Sequence, residues 1–197
     1  MGFTRAELQS FEGTTVEDLV GPGLRLLFVG INPGLWTAAT QTHFAHPGNR
    51  FYPALLAAGI IERPIDRGVG MTEDDRRYVI ERGIGITNVV HRATAKASEL
   101  TKHELREGGD LLRRFVRERH PPVVAIAGIT AYRTAFGFPK AVMGEQTDGF
   151  EGARLWVIPN PSGLNAHETA ATLAIAYREP AVAAGVVASE STPGEPE

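Results

Sequence analysis

The residues able to do chemistry gather in two short loops. Gly30-Ile31-Asn32-Pro33-Gly34 follows an apolar run, and Asn160-Pro161-Ser162-Gly163-Leu164-Asn165 follows another. Pro33 biases Asn32 towards an extended backbone, and Gly34 permits close approach of a ligand. Asn32 is either a turn residue or a fixed amide at the mouth of a site. An amide is no general base at neutral pH, but it can hold a water molecule by hydrogen bonds. In the second loop Leu164 is the one apolar side chain among polar neighbours, and it either packs on the core or projects outward as a wedge. Ser162 invites a nucleophile reading, yet its flanks are Pro161 and Gly163 and no G-x-S-x-G elbow is present.

Other chemistries find less support. There is no cysteine, which rules out a disulfide framework, a thiolate metal site and a cysteine nucleophile. His43, His46, His91 and His103 could be assembled into a metal site, but spacing places no third ligand beside the first two, and no metal is expected. Neither a Walker A pattern nor G-x-G-x-x-G occurs.

The elements that must position these loops are legible as short apolar runs. LRLLFVGI at 24–31, VVAIAG at 123–128 and RLWVIPN at 154–160 read as strands buried on both faces, with IGITNVV at 84–90 a weaker fourth. Helical segments lie between them. Thr72 opens a helix through Glu81, and Thr101 with Glu104 has the capping-box spacing. The helix after Thr101 sets Leu105, Leu112, Phe115 and Val116 on one side and arginines on the other. Thr130 is expected to cap a short helix ending at Gly137. Asn165 to Glu168 is expected to open a helix to about Tyr177, with Pro180 as its stop and a last helical piece at 181–188. A helix N-terminus at Asn165 would suit a phosphate. Strands alternating with helices predict an α/β domain with a parallel sheet covered on both faces. Ligands of such sheets bind beyond the C-terminal ends of the strands, where both loops fall.

The chain of 197 residues suits one domain at roughly 150 residues per domain, and it can bury about 70% of its unfolded surface. No run approaches the roughly 18 apolar residues of a membrane span. MGFTRAELQSFEGTT at the N-terminus lacks the apolar segment of a signal peptide, so the cytoplasm is the expected location. The overall charge is −3. Residues 1–20 form an acidic N-terminal extension of net −3, and residues 189–197 form an acidic tail, also −3, whose composition predicts disorder. The domain at 21–188 therefore carries +3, with 17 arginines and 3 lysines in the whole chain. That modest excess fits local contacts with phosphate and a shallow salt dependence.

GINPG at 30–34, FAHPGNRFY at 44–52 and NPSGLN at 160–165 together, with ASELTKHELREGG at 97–109, resemble the mismatch-specific uracil-DNA glycosylases, bacterial relatives of thymine-DNA glycosylase. The similarity runs from about Leu24 to Tyr177. It implies a three-layer α/β/α fold with a central, mostly parallel sheet, and a DNA glycosylase of base excision repair working in the bacterial cytoplasm, on the nucleoid. The implied partner is double-stranded DNA holding a mispaired or damaged base, met by a monomer, with no cofactor and no membrane. By position, Asn32 matches the asparagine that orients the attacking water. Backbone N–H groups around Ile31 and Gly34 would donate to the flipped base, Phe44 would stack on it, and Thr37, Asn88 and Asn160 would line its pocket. Ser162, Gly163, Leu164 and Asn165 match the segment that enters the helix, with Leu164 as wedge. Three positions depart from the pattern of many bacterial members: Asn88 replaces a lysine, His91 an acidic residue, and Ala166 an arginine. A non-catalytic nucleic-acid-binding domain and a small-molecule hydrolase using Ser162 are the alternatives.

Overall fold

A computed structural model describes residues 2–165 and 167–189. Five strands form one sheet in the order β2-β1-β3-β5-β4. These are β1 (Leu26–Gly30), β2 (Ile84–Asn88), β3 (Val123–Ala127), β4 (Gly144–Phe150) and β5 (Ala153–Ile158). β2, β1, β3 and β5 are mutually parallel, and β4 runs antiparallel to β5. The four parallel strands are the four apolar runs of the sequence. They are buried on both faces save Arg154, as their mostly apolar character requires, with Thr87 and Asn88 the buried polar residues of β2.

Alternate residues of each strand feed two separate cores. Leu26, Phe28, Ile84, Ile86, Val123 and Ala125 face one side. There they meet α3 (Phe51–Ala57), α4 (Glu73–Glu81) and α7 (Ala170–Ala183) through Phe51, Leu55, Val79, Leu173 and Tyr177. Leu27, Val29, Val124 and Ile126 face the other side, against Leu112 and Val116 of α5 (Lys102–Arg119) and Tyr132 and Ala135 of α6 (Ile129–Phe136). The result is the three-layer α/β/α arrangement. Two further short helices, α1 (Arg5–Gln9) and α2 (Leu35–Thr40), and a single 3-10 turn at Ala97–Glu99 complete the described elements.

Local signals set several helix ends. Thr72 with Asp75, and Thr101 with Glu104, both close reciprocal capping boxes. Other ends differ from expectation. α6 is capped by Gly128, not Thr130, because the helix leaves β3 at once and Tyr132 N–H already donates to the Gly128 carbonyl. α7 starts at Ala170, not after Asn165, because the Thr169–Thr172 pair forms the box that caps it. Pro180 lies inside α7 rather than ending it. Its ring is buried, and the last turn is held by Ala181, fully buried in the first core. The piece expected at 181–188 is in part this last turn.

The antiparallel edge strand β4 has no apolar pattern. It reads GEQTDGF, exposed or half-buried as far as the buried Phe150; pairing with β5 makes it a strand, and its charges and irregular register mark a protected edge. At the other edge, Leu19 exchanges both backbone hydrogen bonds with Ile86, at 2.9 and 2.8 Å. Val16 and Leu19 are buried, so part of the acidic N-terminal stretch lies along β2. Among the described residues no helix is long and apolar enough to cross a membrane. The tail from residue 190 onward and Ala166 lie outside the described residues.

Candidate active site

A cavity of about 850 Å³ opens at the C-terminal ends of the parallel strands, where the chain leaves β1 towards β2 on one side and leaves β3 towards β4 and β5 on the other. Its wall contains the residues that the resemblance placed at a base pocket and wedge: Ile31, Asn32, Gly34, Thr37, Phe44, Asn88, Asn160, Ser162, Gly163, Leu164 and Asn165. Strand ends bring them together. Ile31 and Asn32 follow β1, Asn88 ends β2, and Asn160 follows β5.

Asn32 is half-buried, and its amide is anchored on one side. Nδ2 donates to Thr94 Oγ1 at 2.7 Å, to the Arg92 carbonyl at 3.0 Å and to that of Pro33 at 3.2 Å. Two of these partners are carbonyls, which only accept, so the orientation of the amide is fixed by chemistry. Oδ1 has no protein donor among the described residues and remains open to the cavity. Nearby, no described acceptor takes the backbone N–H of Ile31, Asn32, Gly34 or Phe44. Unpaired donors around a concave pocket are suited to oxygen atoms that carry negative charge.

Phe44 holds a left-handed backbone at φ 56°, which a bulky residue rarely adopts. Its ring stacks on Phe51 with centroids 4.1 Å apart, so the core braces it from behind while it lines the cavity. Gly30 makes room for this arrangement. A Cβ there would fall 2.5 Å from Asn88 Oδ1 and 3.1 Å from Phe44 Cζ. Thr37, in α2, is buried, and its Oγ1 accepts from Ala45 N–H at 3.4 Å.

The second loop forms the opposite wall. Asn160 Oδ1 accepts from Ser162 N–H, and Ser162 Oγ accepts from Leu164 N–H. Asn165 Nδ2 donates to the Asn160 carbonyl. No helix begins at Asn165, so the phosphate site expected from a helix N-terminus is absent there; Asn165 closes the loop instead. Arg50 ties the loop down, with Nη1 donating to the Ser162 and Asn165 carbonyls and its own N–H to that of Pro161. Gly163 lies so close to Gly48 that a Cβ would approach its carbonyl oxygen to 2.6 Å. Leu164 is 87% exposed, so it does not pack on the core. No histidine hydrogen-bonds to Ser162 among the described residues.

The histidines are engaged separately. His43 is buried between the Glu17 carbonyl and Asn88. His46 Nδ1 accepts from Gly48 N–H, and His103 pairs with Glu107 on α5. His91 pairs with Asp18 at 3.1 Å, which raises the imidazole pKa, while the same Asp18 accepts from Thr87 Oγ1. His91 is thus held at the β2 edge and does not line the cavity. No group of three or more His, Asp or Glu side chains placed to hold a metal occurs among the described residues.

A family model described as the uracil DNA glycosylase superfamily matches residues 17–181. The chain belongs to that superfamily. Its members are DNA glycosylases, hydrolases that act on DNA and on uracil within it. The fold is similar to the solution NMR structure of a candidate uracil DNA glycosylase from Methanosarcina acetivorans, with a TM-score of 0.54. The identity is 16%, over 84% of this chain and 96% of that one. Within this superfamily frame, sequence reading missed Thr94, Arg50 and His43 as supports of the site. Each acts through a contact distant in sequence. His43 stands out in the sequence only as a metal candidate and Arg50 only within the FAHPGNRFY block, and nothing local ties either, or Thr94, to the site loops.

Proposed function

We propose that the protein is a monofunctional DNA glycosylase that flips uracil out of double-stranded DNA and removes it by hydrolysis, favouring G·U mispairs. Related damaged bases such as ethenocytosine belong to its range. The observation that carries this reading is the amide of Asn32, pinned through Nδ2 with Oδ1 open to the cavity, facing unpaired backbone donors and Phe44 across one pocket.

In this reading the flipped base lies against Phe44, and Leu164 fills the vacated stack. Extrusion costs a few kcal/mol, and least at a mispair, so G·U opens more readily than A·U. Asn32 Oδ1 accepts a hydrogen bond from a water molecule and aims its oxygen at C1′. As the C1′–N1 bond breaks, its electron pair moves onto the base, whose O2 and O4 are met by the N–H groups of Ile31, Gly34 and Phe44. The water oxygen bonds to C1′ and its proton passes to solvent. A positioned general base contributes ~10²–10⁴-fold; an amide supplies none of this, so turnover is slow and depends on a good leaving group. The protein acts as a monomer and needs no cofactor.

The test is a labelled duplex carrying G·U or A·U, and single-stranded U, incubated with protein and then treated with alkali. Strand breaks that appear only after alkali, fastest for G·U, are expected. Binding without abasic product would mark a non-catalytic binder, and labelling of Ser162 by serine-directed reagents would mark a small-molecule hydrolase.

A further inference from the structure

Asn88 is buried, yet it lines the cavity beside Phe44. An asparagine amide has a donor end and an acceptor end of nearly equal shape. Which end meets a bound base decides which base edge fits.

His43 fixes that choice. Its Nε2 lies 2.9 Å from the Glu17 carbonyl oxygen, which can only accept, so Nε2 carries the proton. The ring is 3% exposed, and burial holds its pKa down at about 4. At neutral pH Nδ1 is therefore bare and accepts. It lies 3.1 Å from Asn88 Nδ2, which must donate. Oδ1, the other end of the amide, lies over Gly30, where a Cβ would come within 2.5 Å of it and 3.1 Å of Phe44 Cζ. No described residue donates to it. The ring itself is held by its main chain, since Tyr52 Oη donates to the His43 carbonyl. The charged and titratable groups around it are Asp18, His91 and Arg76.

We propose that His43 is a positioning residue that sets base specificity. Through Asn88 it presents a fixed hydrogen-bond acceptor in the base pocket, favouring bases with an N–H at the facing edge, as uracil has at N3, over bases with a lone pair there. This inference rests on the reading that the cavity takes a flipped base.

The experiment compares wild type, His43→Leu, Asn88→Ala and the double variant. Single-turnover excision of uracil and of ethenocytosine, both opposite guanine, is measured on folded, active-site-titrated protein. Ethenocytosine has no N–H at that edge. His43→Leu is expected to slow uracil excision by about tenfold, the size of one oriented hydrogen bond, and to leave ethenocytosine excision unchanged or faster. In the Asn88→Ala background it is expected to change nothing further. Equal slowing of both bases, or the same slowing with and without Asn88, overturns the proposal. Where ethenocytosine is not excised at all, the double variant decides.

A second arm needs neither activity nor a folded His43→Leu protein. Asn88→Asp sets a carboxylate against Nδ1, and NMR titration of the His43 ring is expected to move well above its wild-type midpoint. An unmoved midpoint overturns the proposal. If wild type excises neither base, the glycosylase reading fails while this arm still judges the lock.

Discussion

The side-chain nitrogen of Asn32 donates to Thr94 Oγ1 at 2.7 Å, joining residues 62 apart in the chain. The bond fastens the loop after β1 to the loop after β2. Thr94 Oγ1 spends its own proton on the Lys96 carbonyl at 2.9 Å, so it can only accept from Asn32. The amide that faces the cavity is thus preset before any ligand arrives.

Removing the amide should cost the reaction directly. Asn32→Ala is expected to slow single-turnover uracil excision by ~10²–10³-fold, the range seen when one preorganised polar group is lost. Thr94→Val should slow it by about tenfold and add little in the Asn32→Ala background. Additive losses would show that Thr94 acts by another route. Asn32→Asp sets a carboxylate against the Arg92 and Pro33 carbonyls, and a lower melting temperature is expected.

Leu164 is the cleanest place to separate flipping from folding. With 87% of it exposed, Leu164→Ala should alter stability by no more than about 0.5 kcal/mol. Excision should nevertheless slow, and more at A·U than at G·U, because the better-paired base costs more to extrude. A fluorescent base analogue beside the target would report the flipping step. Equal fluorescence change in both proteins would remove the wedge role.

Arg50 should resemble Leu164 in function but not in stability. Arg50→Ala frees the Ser162 and Asn165 carbonyls, costing about 1–3 kcal/mol in a denaturant titration. Its slowing of excision should overlap with that of Leu164→Ala rather than add to it. Additive effects would separate Arg50 from the wedge loop.

Acid should weaken the fold through His43. Its pKa falls from 6.5 to about 4 on burial, so the unfolded chain binds the proton more tightly. The stability from the neutral ring is present above about pH 6.5 and is lost as pH falls towards 4, amounting to about 3 kcal/mol. His91 works in the opposite sense. Its pKa is raised by Asp18, and its contribution is full below 6.5 and lost as pH rises through the raised value. Denaturant melts from pH 4 to 8 should show a steep acid limb, flattened in His43→Leu. An unchanged limb in that variant would assign the acid sensitivity to other groups.

Local chemistry explains what the sequence determined alone. Four short apolar runs, one of them broken by Thr87 and Asn88, read as strands covered on both faces, and they became β1, β2, β3 and β5. Thr72 with Asp75 and Thr101 with Glu104 sit three residues apart, so their capping boxes need no distant partner. The loop motifs fall together in the cavity wall, because loops that follow parallel strands meet at one end of the sheet. What only the tertiary structure decided depends on contacts that the chain makes far from itself. β4 exists because β5 offers it a partner, and α7 begins where Thr169 and Thr172 cap it rather than at Asn165. The orientation of Asn32 rests on Thr94, and that of Asn88 on His43, 45 residues away. An amide has no preferred face of its own. Spacing can put it at a site, but only the donors and acceptors folded against it choose which end it shows.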